Sequence, residues 1–231
     1  MGTVVGEART LDEPEELQLD LKDERPKMAD LFCGGGGFFG GLTTIHAHEI
    51  GDGLGYSTVK GFQAQPRCPK GVRVLLRDLS KIEETVADLE ECEIDGGTAG
   101  APCQDWSPAG LRKEAKLETL TLTTVEIVLK YRPAWFIFEN VIQWASSDNF
   151  RLACKRLNKG GYSVPAVGLR AREAALATSR TRLFAIVYSA GSEEKHEQIL
   201  KEFARRRYRG PTPTVRAVLG TKVGERFWWL P

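Results

Sequence analysis

The 231-residue chain is short of the residues that staple, anchor or metallate a protein. Its five cysteines, Cys33, Cys68, Cys92, Cys103 and Cys154, are odd in number and scattered, with no Cys-x-x-Cys spacing. That excludes a disulfide framework and a cysteine zinc site, and it points to a reducing, cytoplasmic setting. The three histidines, His46, His48 and His196, make no metal set, so no metal is expected. His46 and His48 read as an ordinary part of a helix or loop. No apolar run reaches bilayer length, and the start lacks the basic-then-apolar pattern of a secretory signal, so no membrane is expected. An excess of one charge is missing too. Lys plus Arg total 32 against 31 Asp plus Glu, a net +1, so the overall balance draws the chain to neither nucleic acid nor lipid. The dinucleotide pattern Gly-x-Gly-x-x-Gly is also absent, because Phe39 stands where the last glycine belongs.

What is present is an alternation of strands and helices. Residues 1–27 form a polar, acidic leader with little to bury. MADLF (28–32) is a short apolar strand that runs into CGGGGFFGG and then a helical stretch. YSTVKGF (56–62) reads as a second strand, and GVRVLLRDL (71–79) as a third with Asp78 at its end. KIEETVADLEE reads as a helix, and ECEID as the end of a short strand. A helix over 119–133 stops at Pro133. AWFIFENV (134–141) has the apolar run of a strand buried on both faces. NFRLACKRLNKGGY is a helix closed by Gly160 and Gly161, and YSVPAVGLR and RTRLFAIVYSA are two more strands. This order predicts an α/β fold, a doubly wound and mostly parallel sheet, over residues 28–191. From 192 to 231 the pattern changes to a charged, basic helix and the start of a further region.

Cys103 lies in GAPCQDWSPAG (100–110). A free cysteine most often simply packs. Here Gly100, Pro102, Pro108 and Gly110 punctuate a loop at a strand end, where α/β proteins place reactive groups. The glycine loop, Asp78, Cys103 and the pair Glu139-Asn140 all fall at strand ends that converge on one crevice. Arg180 and Arg182 stand at the beginning of a strand, so that rule does not bring them there.

DLFCGGGGF, GAPCQDWSPAG, FENV and SRTR, in this order and spacing over residues 28 to about 190, resemble the motifs of DNA cytosine-C5 methyltransferases. The resemblance implies a Rossmann-like fold that binds S-adenosylmethionine through Asp30, Phe32, Cys33, Gly34, Gly36, Gly37, Phe38, Asp78, Leu79 and Pro102. Gln63, in GFQAQP, stands where the family carries an acid for the ribose. The resemblance makes Cys103 the nucleophile that adds to carbon 6 of a flipped-out cytosine. It gives Glu139 the ring nitrogen, which a nearby acid must protonate or hydrogen-bond. Asn140 holds the loop, while Arg182 and Arg180 contact the base or anchor the nucleophile loop. Gln104 and Ser107, on the nucleophile loop, are expected at the nucleic acid, and Arg205, Arg206 and Arg207 at phosphates.

Besides Gln63, two features depart from the family. Leu176-Ala177-Thr178 replaces the usual Val-Pro-Gln before the arginines. FWWLP ends the chain where relatives enter a target-recognition domain. The expected partners are therefore DNA and a complementing recognition subunit or C-terminal domain. A non-catalytic, DNA- or partner-binding homologue and a transfer-RNA cytosine methyltransferase are the alternatives.

Overall fold

A computed structural model describes residues 27–33, 44–49, 73–102, 116–189, 193–206 and 209–211. The strands are β1 (Met28–Leu31), β2 (Thr44–Glu49), β3 (Arg73–Leu76), β4 (Gly96–Ala99), β5 (Trp135–Val141), β6 (Tyr162–Ser163), β7 (Ala166–Arg170) and β8 (Thr181–Ser189). The helices are α1 (Ile82–Glu91), α2 (Lys116–Tyr131), α3 (Asp148–Lys159) and α4 (Glu193–Arg206). The sheet runs β3-β2-β1-β4-β5-β8-β6, with β7 also on β8. Strands β1 to β5 are mutually parallel, as the alternation of strands and helices predicts. The last strand, β8, is antiparallel to β5.

β6 and β7 are one strand interrupted at Pro165. Tyr162 faces Ser189 and Ala166 faces Ala185, so the register carries across the break. Pro165 has no N–H to give the ladder, but its carbonyl accepts from the Ile186 N–H at 2.8 Å.

Two strand expectations are corrected. His46 and His48 belong to β2, beside β1, and not to a helix or loop. Residues 56–62 lie outside the described residues. ECEID is no strand end: α1 runs through Glu91, Cys92 and Glu93 form the turn, and β4 is Gly-Gly-Thr-Ala. Apolar periodicity cannot reveal such a strand, and its neighbour explains the composition. A Cβ on Gly96 would meet the Trp135 ring at 2.2 Å. A Cβ on Gly97 would meet the Phe136 ring at 2.7 Å and the Ala29 carbonyl at 2.8 Å. The aromatic side chains of β5 occupy the space that side chains on β4 would need.

Helices α1, α2 and α3 pack in sequence against one another. Their inner faces supply Val86, Leu89, Val125, Val128, Ala153 and Leu157 to a core shared with Phe136, Phe138 and Trp144. α3 starts cleanly because Ser147 Oγ accepts from the Phe150 N–H at 3.0 Å. It ends at Gly160, followed by Gly161 at φ 84°.

The packing of β4 generates a prediction. Gly97→Ala forces a backbone carbonyl to move, so it should destabilise the fold by about 2 kcal/mol, the usual cost of overpacking. Urea denaturation measures this; an unchanged midpoint would contradict the account of β4.

Candidate active site

β5 ends in Glu139-Asn140-Val141. Because β8 is antiparallel, its first residues stand at that same edge, with Val141 opposite Arg182 and Glu139 opposite Phe184. Residues 139 and 182 are thus diagonal neighbours on one face. Arg182 Nε lies 2.8 Å from Glu139 Oε1, and both side chains are only about one-fifth exposed, 21% and 20%. Arg182 Nη1 also donates to the Thr181 carbonyl at 2.8 Å, which fixes the guanidinium. The strand direction supplies the reason for these arginines to be at the crevice, and Arg182 is the one that reaches Glu139.

Glu139 Oε2 turns toward Gly100, where a Cβ would sit 3.6 Å away. Gly100 follows β4, and its N–H donates to the Leu31 carbonyl at 3.3 Å, which ties the end of β1 to the start of the Cys103 loop. Ala101 is buried and Pro102 half-buried. Cys103, Gln104 and Ser107 lie outside the described residues. Asn140 is buried, and its Oδ1 accepts from the Val141 N–H at 2.8 Å, pinning the turn that leaves β5. Arg180 is exposed and stands apart from Glu139; its carbonyl accepts from the Ala171 N–H at 2.7 Å.

Between β1 and β4 the strand order reverses direction, and this is where open α/β sheets bind their ligands. Phe32 follows β1 at φ 60° and packs, partly buried, on the core. Cys33 is buried. Gly34, Gly36, Gly37, Phe38 and Gln63 lie outside the described residues. Asp30 is fully buried within β1, where its Oδ1 accepts from Thr98 Oγ1 on β4 at 2.8 Å. It sits inside the sheet, behind the edge.

Asp78 is exposed just past β3, and Leu79 is buried in the core. The Ser80 hydroxyl, and then the Ser80 backbone N–H at 2.9 Å, hold the Asp78 carboxyl below the usual carboxylate range. This is an Asx-type turn. Asp78 does not cap α1, whose N-cap is Lys81 with no side-chain bond. Next to it, Arg77 forks onto Asp88 at 2.8 and 2.9 Å and reaches Glu84 at 2.9 Å, clamping α1 to the end of β3.

Sequence reasoning missed one residue. β2, the neighbour of β1, ends in Glu49. In dinucleotide-binding sheets an acid beyond the first glycine loop takes a ribose hydroxyl, and Glu49 has that place in the topology. The alternation in Thr-Ile-His-Ala-His-Glu was the available signal. Arg205, by contrast, is paired on its own helix with Glu202 at 2.9 and 2.6 Å. Arg206 ends α4, and Arg207 lies outside the described residues.

The model of C-5 cytosine-specific DNA methylases matches residues 26–228. The type II methyltransferase M.HgiDI of Herpetosiphon aurantiacus is 32% identical over 153 residues, 66% of this chain and 48% of that protein. M.HindV of Haemophilus influenzae is 31% identical over 153 residues, 66% of this chain and 49% of the relative. The chain therefore spans about half the length of these curated relatives. Among solved structures, the Dnmt2 methyltransferase of S. pombe shares the fold, with a TM-score of 0.62 at 15% identity over 89% of this chain and 66% of that one. The family match over nearly the whole chain agrees with the strand order and with the convergence at Glu139, and the chain belongs to the C-5 cytosine-specific DNA methylase family.

Proposed function

We propose that this chain transfers a methyl group from S-adenosylmethionine to carbon 5 of a cytosine in DNA, through a covalent bond between Cys103 and carbon 6. The observation that carries the reading is the Glu139–Arg182 pair, whose second carboxylate oxygen faces Gly100, three residues before Cys103.

Carbon 5 of cytosine is a weak nucleophile. Addition of the Cys103 thiolate to carbon 6 breaks the ring's conjugation and moves an electron pair toward carbon 5 and ring nitrogen 3. Nitrogen 3 gains negative charge as Cys103 adds, so Glu139, carrying a proton on Oε2 in the reacting complex, donates it in a hydrogen bond to nitrogen 3 while Arg182 holds Oε1; the proton returns to Oε2 when Cys103 leaves. The bound S-adenosylmethionine supplies an electrophilic methyl group. Once carbon 5 carries the methyl group, loss of its proton returns the electron pair, the carbon 6–sulfur bond breaks, and Cys103 leaves as thiolate. The base must leave the duplex to reach these groups.

The edge residues fit S-adenosylmethionine. The strand order reverses between β1 and β4, Phe32 offers an aromatic side chain at the end of β1, and Gly100 puts no side chain beside Glu139. Phe32, Cys33, the glycines at 34, 36 and 37, Phe38, Leu79 and Pro102 would hold it, with Asp78 at the adenine amine. Gln63, which lies outside the described residues, and Glu49, which ends β2 beside β1, are the residues we assign to the ribose hydroxyls. Asp30 supports this edge from behind through Thr98.

The test is transfer of labelled methyl from S-adenosylmethionine to mixed-sequence DNA. It is run with the chain alone and with the C-terminal half of a relative added. Incorporation in either mixture that vanishes with Cys103→Ser is the expected result; no incorporation in both, or equal incorporation by Cys103→Ser, would contradict the reading.

Gly100→Ala should leave thermal stability nearly unchanged, because its methyl makes only ordinary contact. The same methyl intrudes beside Oε2, so turnover should fall about tenfold, a barrier rise of about 1.4 kcal/mol. Parallel melting curves and single-turnover rates check both halves of this expectation.

A further inference from the structure

The connection between β7 and β8 carries Arg170, Arg172 and Arg180, all exposed. Among the described residues none of the three has an ion-pair partner. The single acid of the stretch, Glu173, accepts the backbone N–H of Arg170 at 3.0 Å. Several exposed cations on the helices are paired instead. Lys81, Arg151, Lys201 and Arg205 each meet an acid within one helical turn.

The backbone that displays these arginines is well tied. The Ala171 N–H donates to the Arg180 carbonyl at 2.7 Å, and the Ala175 N–H to the Arg172 carbonyl at 3.1 Å. Ala175 closes the turn in the left-handed region at φ 58°. A non-glycine residue pays about 1–2 kcal/mol for that conformation, so the turn is held by its surroundings.

The place of this cluster gives it meaning. Arg170 is opposite Thr181, and Leu169 opposite Arg182, which is itself opposite Val141. The arginines therefore stand at the same sheet edge as Glu139. β7 lies two strand spacings from β5, roughly 10 Å. That is about the rise of three base pairs. A duplex lying along this edge with a base at Glu139 would carry its backbone past this turn.

We infer that Arg170 and Arg172, with Arg180 beside them, form a phosphate-contact site for the DNA that flanks the target base. The inference rests on the proposed methyltransferase reading and adds a binding element to it. The site reads no sequence; it positions the duplex and supplies salt-dependent affinity. It also explains how a chain of net charge +1 binds a polyanion: the positive charge is local to the edge that needs it.

The test uses the full chain and a fluorescent mixed-sequence duplex, with anisotropy titrations over a series of salt concentrations and methyl transfer measured alongside. R170Q/R172Q should weaken binding on every sequence tried and reduce the slope of log K against log salt by roughly 2, about 0.9 per phosphate lost. R170K/R172K should restore the slope, since phosphate needs the charge. R172Q alone should lower it by about half as much; it serves if the double variant melts early. A wild-type chain that binds and methylates DNA while R170Q/R172Q and R172Q keep its slope would overturn the site alone. A wild-type chain that binds no duplex at any salt, alone or with the C-terminal half of a relative added, would overturn the methyltransferase reading with it.

Discussion

Glu139 and Arg182 are brought together by the direction of a single strand. In a wholly parallel sheet, the start of β8 would lie at the opposite edge from the end of β5. Its antiparallel course sets Arg182 diagonal to Glu139 across the ladder and at 2.8 Å from its carboxylate. An ion pair one-fifth exposed contributes little to stability, on the order of 1 kcal/mol or less. Its value is orientation: one carboxylate oxygen is taken, and the other lies on the Gly100 side.

Neighbouring features serve that same edge. The glycines of β4 let Trp135 and Phe136 lie across the strand, which keeps β5 and β4 in close register. The Gly100–Leu31 backbone bond then joins the two strand ends between which the crevice opens. Asp30 and Thr98 tie the same strands deeper in the sheet. On the other side of the crevice, Arg77 locks α1 to β3, and Ser80 fixes the Asp78 carboxylate. The β7–β8 turn extends the edge outward with three arginines.

Much of this was legible in the sequence, for a physical reason. Glu139-Asn140 stands out because chemistry restricts such a pair at the end of an apolar strand; Cys103 and the glycine loop stand out in the same way but lie outside the described residues. The α/β alternation was legible because α2, α3, β5 and β8 carry apolar runs of the right period and explicit stops such as Pro133 and Gly160. β4 was hidden because its composition answers to the aromatics of β5, a long-range fact. β2 was hidden because its polar alternation sits among glycines. The partnership of Arg182 with Glu139 was hidden because no local pattern encodes strand direction. Once β2 is placed, Glu49 stands at the end of the strand beside β1, which no reading around Gln63 suggested.

The most direct test of the central claim is a double-mutant cycle between Glu139 and Arg182, read as single-turnover methyl transfer with Glu139→Gln, Arg182→Gln and the pair of substitutions together. If the arginine acts by holding the carboxylate, its loss should cost far less once Glu139 is already gone, and the double variant should be close to Glu139→Gln. Losses that multiply would mean that the two residues act independently, and that the ion pair is not what sets the site.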